Sequence, residues 1–314
     1  MTKVFIDGSA GTTGLRIRER LSDRKDLELI ILPEETRKDP AARANALNSA
    51  AVSFLCLPDA AAIEAASFVT DPDAVIIDTS TAHRVAEGWT YGMPELAGQH
   101  EKLKAAKRIA NPGCHATGFI SLVAPLVASG LIQKDARLSC FSLTGYSGGG
   151  KKMIAEYEAP DMDPLYQAPR QYGLGQTHKH LPEMAMYAAL AHEPVFCPIV
   201  APYYAGMEVT VPLTPAETSA SVEEIREVYR AYYREGLIRF AEGTDENGFL
   251  SAGAFAGRDD LEVSVFGNEE RILLVSRFDN LGKGASGAAI QNMNIALGLR
   301  DEATGLVAPD RQVP

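Results

Sequence analysis

The spacing of apolar residues changes character near residue 114. Before it, short apolar runs alternate with helical stretches. Residues 3–7 make the first run, and 12–21 read as a helix entered from a glycine-rich turn. Further strands are expected at 27–32, 52–57, 74–78 and 108–110, and helices at 40–50 and 60–68. Strands that alternate with helices imply an α/β fold built on a parallel, doubly wound sheet.

After residue 114 the runs lengthen. Phe119, Leu122, Val123, Leu126 and Val127 recur at helical spacing, which predicts a helix over 116–128. Pro125 falls inside it and is expected to kink it or limit its hydrogen bonding. Strands are expected at 138–144, 195–202, 207–212, 262–268 and 271–278, with no regular helical crossovers between them. That arrangement predicts an α+β domain with a mostly antiparallel sheet. An amphipathic helix is expected at 222–235 and an alanine-rich one at 285–299, and the last ten residues read as an extended tail. No internal repeat and no low-complexity linker is visible.

Composition narrows the class. The 314 residues are 46% hydrophobic and 23% charged, ordinary for a globular enzyme and enough for two domains. No apolar run approaches the roughly 20 residues that span a bilayer. The start, Met1-Thr2-Lys3-Val4-Phe5-Ile6, enters a strand without the layout of a signal peptide, so a cytoplasmic location and no membrane partner are expected. A net charge of −11 argues against nucleic acid, whose phosphates need a basic surface. Anionic ligands would need local basic or backbone-amide pockets.

The four cysteines lie far apart, which fits neither a zinc cluster nor a disulfide framework. Cys56 and Cys140 read as buried strand residues, and Cys197 lies in another apolar stretch before Pro198. Cys114 differs. It ends Asn111-Pro112-Gly113-Cys114, where a forced turn meets the start of a helix. A thiol at the positive end of a helix dipole is favoured as thiolate. At the amino end, Gly8, Gly11 and Gly14 punctuate Gly8-Ser9-Ala10-Gly11-Thr12-Thr13-Gly14, between a strand and a helix. Such a turn cradles a dinucleotide pyrophosphate, although the spacing is looser than the usual fingerprint. Past the second strand, Glu34 and Glu35 favour NAD, whereas Arg37 and Lys38 suit a 2′-phosphate; a solvated charged loop is the plainer alternative.

Turnover at a thiol needs a proton partner. His178 and His180 lie in an extended His178-Lys179-His180 stretch that leads into a helix at Pro182, with Glu183 close by. Residues i and i+2 of an extended stretch share a side, so one histidine can work while the other supports it. No residue nearby completes a metal set, so no metal is expected. His115 follows Cys114 directly and should point elsewhere on the helix. The loop Gly145-Tyr146-Ser147-Gly148-Gly149-Gly150-Lys151 offers an amide nest and a lysine for an anion. Asn280 and Gly282, in Asp279-Asn280-Leu281-Gly282-Lys283-Gly284, offer an amide and a close approach for a flat ring. Arg84 is a candidate for a substrate carboxylate or phosphate.

In this order, the glycine turn, the Asn-Pro-Gly-Cys element, the glycine-lysine loop, His178 to Glu183 and Asn280 to Gly284 carry a resemblance over nearly the whole chain. The sequence resembles the N-acetyl-γ-glutamyl-phosphate reductases of arginine biosynthesis, and within them the shorter type. The resemblance implies an NADP(H)-binding Rossmann domain over 1–114 and 285–314, and a dehydrogenase-like catalytic and dimerisation domain over 115–284. It implies NADPH-dependent reduction of the acyl phosphate to N-acetylglutamate semialdehyde and phosphate, through a thioester on Cys114. His178 is expected as the acid/base, with His180, Glu183, Arg84, Ser147, Gly148 and Lys151 supporting or binding substrate. Gly8, Ser9, Gly11, Thr12, Thr13, Gly14, Arg37, Asn280 and Gly282 are expected around the cofactor. A homodimer or homotetramer is implied. One departure is His115, where the family often has Tyr. Rival readings are aspartate-semialdehyde dehydrogenase, the reductase of carrier-bound aminoadipate and, in another class, a non-catalytic NADP-binding sensor.

Overall fold

A computed structural model describes residues 1–299; the expected tail lies outside the described residues. The chain divides into two compact units. Among the described residues, the first holds 1–113 and 285–299, and the second holds 114–284.

The first unit runs β1 (Thr2–Asp7), α1 (Thr12–Leu21), β2 (Leu27–Ile30), α2 (Pro40–Ser49), β3 (Val52–Leu55), α3 (Asp59–Ser67), β4 (Val75–Asp78), β5 (Thr90–Tyr91), α4 (Gln99–Ala105) and β6 (Arg108–Ala110), and closes with a last helix, Gly287–Ala296. Its six strands are all parallel, in the order β2-β1-β3-β4-β6-β5. Parallel strands are covered on both faces, which is why β3 and β4 are buried throughout their length and apolar except for Ser53 and Asp78. Val4, Ile6, Phe54 and Ile77 pack on one face with Ile290 and Met293 of the last helix. Phe5, Leu55 and Ile76 pack on the other with Leu47 and Ala62. From β1 the chain first goes to one side, to β2, and later to the other, to β3. That reversal opens a crevice beyond the carboxyl ends of β1 and β3, the place where doubly wound sheets bind ligands.

The second unit runs α5 (Cys114–Ala128), β7 (Ser139–Gly145), α6 (Gly150–Tyr157), β8 (Arg170–Gln171), α7 (Leu181–Tyr187), β9 (Val195–Ala201), β10 (Met207–Leu213), α8 (Val222–Tyr232), β11 (Ile238–Phe240), β12 (Leu261–Asn268) and β13 (Arg271–Phe278). The sheet order is β11-β12-β13-β10-β7-β9-β8. Four of its pairings are antiparallel, while β7–β9 and β11–β12 are parallel, so the sheet is mixed. The long excursion from β7 through α6 and α7 supplies the crossover that a parallel β9 requires.

Helix α5 is buried on every side from His115 to Val127, the mark of an interior helix. It lies close to the sheet because Gly118 has no side chain; a Cβ there would meet Val209 at 2.4 Å. Pro125 cannot donate to the carbonyl of Ser121. The hydroxyl of Tyr233, just past α8, donates to that carbonyl instead at 2.6 Å, and Tyr229 donates to the next one, Leu122, at 2.5 Å. The expected kink residue is thus accommodated by two tyrosines.

Candidate active site

In the first unit the glycine turn closes on itself. Gly8 adopts φ +85°, and a Cβ on it would lie 2.2 Å from the carbonyl oxygen of Cys56. A Cβ on Gly14 would lie 2.4 Å from the carbonyl oxygen of Gly8. Backbone therefore packs on backbone here, and only glycine allows it. The Gly11 N–H donates to Gly8 O at 2.9 Å, and α1 begins without a side-chain cap. Thr12 Oγ1 at its head is buried with no hydrogen-bond partner. A pyrophosphate satisfies these groups, so the cradle fits a dinucleotide.

Beside the turn lies a cleft of about 210 Å³, lined among others by Gly8, Ser9, Ala10, Leu32, Arg37 and Lys38. Strand β2 stops at Ile30, two residues earlier than expected. The chain then turns on Pro33, whose carbonyl accepts from the N–H groups of Thr36 and Arg37. This turn brings Arg37 to the cleft, braced by Glu34 at 2.5 Å, with its Nε buried and unpartnered. The cleft wall also holds a buried ion pair, Arg43 with Asp7, at 3.0 Å. Burial raises the Asp7 carboxyl above its usual range, against the pull of Arg43.

In the second unit Cys114 is the first residue of α5 and half-buried. Gly284 presses on it; a Cβ there would come within 2.9 Å of the Cys114 Cβ. His115, contrary to the expectation that it points away, lies within the histidine cluster. Its ring centroid is 5.6 Å from His178, 5.5 Å from His180 and 5.2 Å from Phe196. Nδ1 of His115 is 2.7 Å from Ser142 Oγ, and Nε2 is 2.7 Å from the Tyr172 hydroxyl. Burial, helped by His178, pushes this imidazole down to about 3, so it is neutral. Tyr172 is displaced upward, mainly by burial and further by the charge on Cys114. No sequence signal marked Tyr172, which sits in the loop between β8 and α7.

The two expected histidines lie together, with ring centroids 4.7 Å apart. Nδ1 of His178 accepts from the backbone N–H of His180 at 3.2 Å. The neutral ring of His178 therefore carries its proton on Nε2. His180 occupies the N-cap of α7, and its Nε2 is 4.0 Å from the buried carboxylate of Glu183.

Several other candidates prove to be occupied. The glycine-lysine loop is not an open nest, because three of its amides serve the fold. Gly145, Tyr146 and Ser147 donate to Gly206, Tyr203 and Tyr204. A 3-10 turn, Tyr146–Gly149, then leads into α6, leaving Gly148 and Lys151 exposed. Asn280 is buried; its Oδ1 accepts from Gly206 and its Nδ2 donates to Ser147 Oγ at 3.0 Å. Gly282 packs on backbone, since a Cβ there would meet the Arg258 carbonyl oxygen. Arg84 is also buried, and its Nε and Nη2 donate to the carbonyls of Asn111 and Thr79. Asn111 is bound on every side: its N–H to Asp78, its carbonyl to Arg84, its Nδ2 to Ala285 O and its Oδ1 to Asn292. Cys140 is buried as expected. Cys56, just past β3, and Cys197 are half-buried, and burial pushes the Cys56 thiol up to about 12.

A dinucleotide cradle followed by a helix-headed thiol is the arrangement of the semialdehyde dehydrogenases. The sequence profile of the semialdehyde dehydrogenase NAD binding domain matches residues 3–106, and that of the dimerisation domain matches 114–280. N-acetyl-gamma-glutamyl-phosphate reductase 2 of Nostoc sp. is 43% identical, covering 96% of this chain and 98% of its own. The N-acetyl-gamma-glutamyl-phosphate reductase of Mesorhizobium japonicum is 44% identical, with 95% and 99% covered. The chain belongs to the N-acetyl-gamma-glutamyl-phosphate reductase family. In fold it is similar to aspartate semialdehyde dehydrogenase II of Vibrio cholerae (TM-score 0.69, 17% identity, 95% and 98% covered) and to the aspartate semialdehyde dehydrogenase of Candida albicans solved with NADP (TM-score 0.69, 15% identity, 95% and 99% covered).

Proposed function

We propose that this chain reduces N-acetyl-γ-glutamyl phosphate to N-acetylglutamate 5-semialdehyde and phosphate, with NADPH as reductant and Cys114 as nucleophile. The observation that carries this reading is the Cys114 thiol at the head of α5, next to His115 and the cluster of Tyr172, His178 and His180. The Cys114 thiolate attacks the acyl carbon, and the carbon–oxygen bond to phosphate breaks. His178 is the residue assigned to give a proton to the departing phosphate. The first amides of α5 favour the oxyanion of each tetrahedral adduct. NADPH, when bound at the glycine turn, would supply the hydride that takes the thioester to the aldehyde level. The Cys114 sulfur then leaves as thiolate and the semialdehyde is released. His180 and Glu183 hold the histidine segment. Gly148 and Lys151 are assigned to the substrate side, and Ser147 positions that turn. Arg84, whose Nε holds the Asn111 carbonyl, is assigned to the substrate side. Gly8 to Gly14 receive the pyrophosphate and Arg37 the 2′-phosphate, while Asn280 and Gly282 shape the loop above α5.

The reverse reaction tests the reading. N-acetylglutamate semialdehyde, NADP and phosphate together should yield NADPH. Turnover without phosphate would sink the acyl-phosphate chemistry. Turnover with aspartate semialdehyde alone would move the chain to the rival dehydrogenase, and cofactor binding without turnover would leave a sensor. Cys114→Ser should abolish turnover and spare NADP binding.

The profile matched by the second unit is named for dimerisation, and its sheet has a suitable face. Phe141, Leu143, Val195, Ile199, Pro212 and Leu273 lie on one face of the sheet, with Phe141, Val195 and Leu273 exposed. A second copy of this chain is the proposed occupant, giving a homodimer or a homotetramer built from two such dimers. No described helix is long and apolar enough to cross a membrane, and a cytoplasmic location is part of the same proposal.

A further inference from the structure

We propose that Arg43 is the platform on which the cofactor's adenine stacks: three acceptors fix its guanidinium, Phe68 covers one side, and the other side is offered to a flat ring in the cleft beside the glycine turn. The proposal rests on the reading of that cleft as the NADP(H) site and names the residue that holds the base.

The clamp is built from three segments of the first unit. Arg43 lies in the first half of α2, and only 6% of it is exposed. Its Nε donates to Asp7, the last residue of β1, at 3.0 Å. Its Nη1 donates to Glu64 of α3 at 3.0 Å, and its Nη2 to the Ala61 carbonyl at 3.4 Å. Each of the three nitrogens is tied down, so the plane of the group is set before any ligand arrives. The Cζ atom stands 5.6 Å from the centre of the Phe68 ring, which closes that side. Arg43 nevertheless lines the cleft, together with Leu32, Leu57 and Ala61. Leu32 follows β2 and Leu57 follows β3, so the apolar walls come from the two strands that flank β1, where the sheet reverses. A fixed planar cation among apolar side chains suits the face of an aromatic ring.

Charge decides against the alternative, a phosphate contact. A bare arginine in such a place would attract the 2′-phosphate. Arg43 instead faces two carboxylates, Asp7 and Glu64, each at 3.0 Å, so this corner of the cleft carries no surplus positive charge. The 2′-phosphate is better served at the other wall by Arg37 and Lys38, where two cations stand together and Glu34 pairs with Arg37. The cleft therefore separates the two tasks: Arg37 and Lys38 read the phosphate, and Arg43 holds the base by its face.

Binding measurements on the full chain test the proposal without any turnover. Adenosine 2′,5′-bisphosphate carries the base and the 2′-phosphate and lacks the nicotinamide. Arg43→Lys keeps the charge beside Asp7 and loses the flat group. It should weaken this ligand, NADPH and NADH alike, by roughly tenfold in calorimetry. An unchanged affinity overturns the proposal. A loss for NADPH without one for NADH also overturns it, since Arg43 would then be a phosphate contact. In the wild type with 13C-labelled arginine, nuclear Overhauser contacts should join Arg43 Hδ to H2 or H8 of the bound adenine. Their absence overturns the proposal even if Arg43→Lys fails to fold. A stack reads the face of a base and not its edge, so the hypoxanthine analogue of NADPH should bind within about threefold of NADPH. A loss of about tenfold or more would place recognition on the exocyclic amine and overturn the stack. Failure of the underlying reading looks different: the bisphosphate would not bind the wild type at all.

Discussion

The Pro125 site in α5 yields a stability prediction that can be worked from single atoms. Proline leaves the Ser121 carbonyl without its helical partner, and the Tyr233 hydroxyl supplies one at 2.6 Å from a side chain only 7% exposed. Tyr233→Phe removes that donor and keeps the ring. A buried carbonyl left unsatisfied costs about 1–3 kcal/mol. Pro125→Ala returns an N–H to the same carbonyl, so in that background Tyr233→Phe should cost under about 1 kcal/mol. Urea unfolding of the wild type, both single variants and the double variant closes the cycle. Amide exchange of the peptide spanning 114–128 reads α5 locally. A coupling below about 0.5 kcal/mol, meaning the same loss with and without the proline, would refute the account of how the helix tolerates residue 125.

Three further outcomes follow from the sites described. Gly284→Ala puts a methyl 2.9 Å from the Cys114 Cβ; it should lower kcat by roughly tenfold to a hundredfold while NADP affinity holds, as displacement of a nucleophile does. His115 titrates near 3 when folded and near 6.5 when unfolded, so the unfolded chain binds more protons between these values and stability falls as pH drops below 6.5. Denaturant unfolding at pH 7 and pH 4.5 should show about 2–3 kcal/mol less pH dependence in His115→Phe than in the wild type. Arg37→Ala should weaken NADPH binding about tenfold and leave NADH unchanged, measured by fluorescence titration; equal losses would remove the 2′-phosphate contact.

Much of this molecule could be read from period and punctuation. The strands of the first unit carry continuous apolar runs because both faces are covered, and the glycine turn stands out because no other residue fits its backbone contacts. Cys114 was legible for a similar reason: a Pro-Gly turn dictates where the helix begins. What the sequence hid depends on pairings between distant segments. His115 was expected to face away, since successive residues on a helix differ by about 100°. The chain between β8 and α7 folds over that side of α5 and gathers His115, Tyr172 and His178, a closure with no local signature. The glycine-lysine loop, Arg84 and Asn280 looked available because their chemistry suits ligands. In the fold their polar groups are largely taken up by backbone groups of residues 203–206, by Thr79 and by Asn111. The parallel pairing of β7 with β9 was likewise invisible, because a strand run does not declare its direction.

Asn111 gives the chain's topology a physical meaning. The chain leaves the first unit just after this residue and returns at Ala285, whose carbonyl the Asn111 side chain holds. Everything from 114 to 284 is therefore an excursion whose two ends are pinned by one amide. Closing so long a loop costs an entropy on the order of 5 kcal/mol, growing only logarithmically with its length. Insertions or deletions within the excursion leave that cost nearly unchanged, whereas loosening the clip would release both ends at once. A short linker joining residues 113 and 285 should serve the parallel sheet as well as the native excursion does, which makes the first unit separable by design: a nucleotide-binding module into which a catalytic insert has been spliced at a single point.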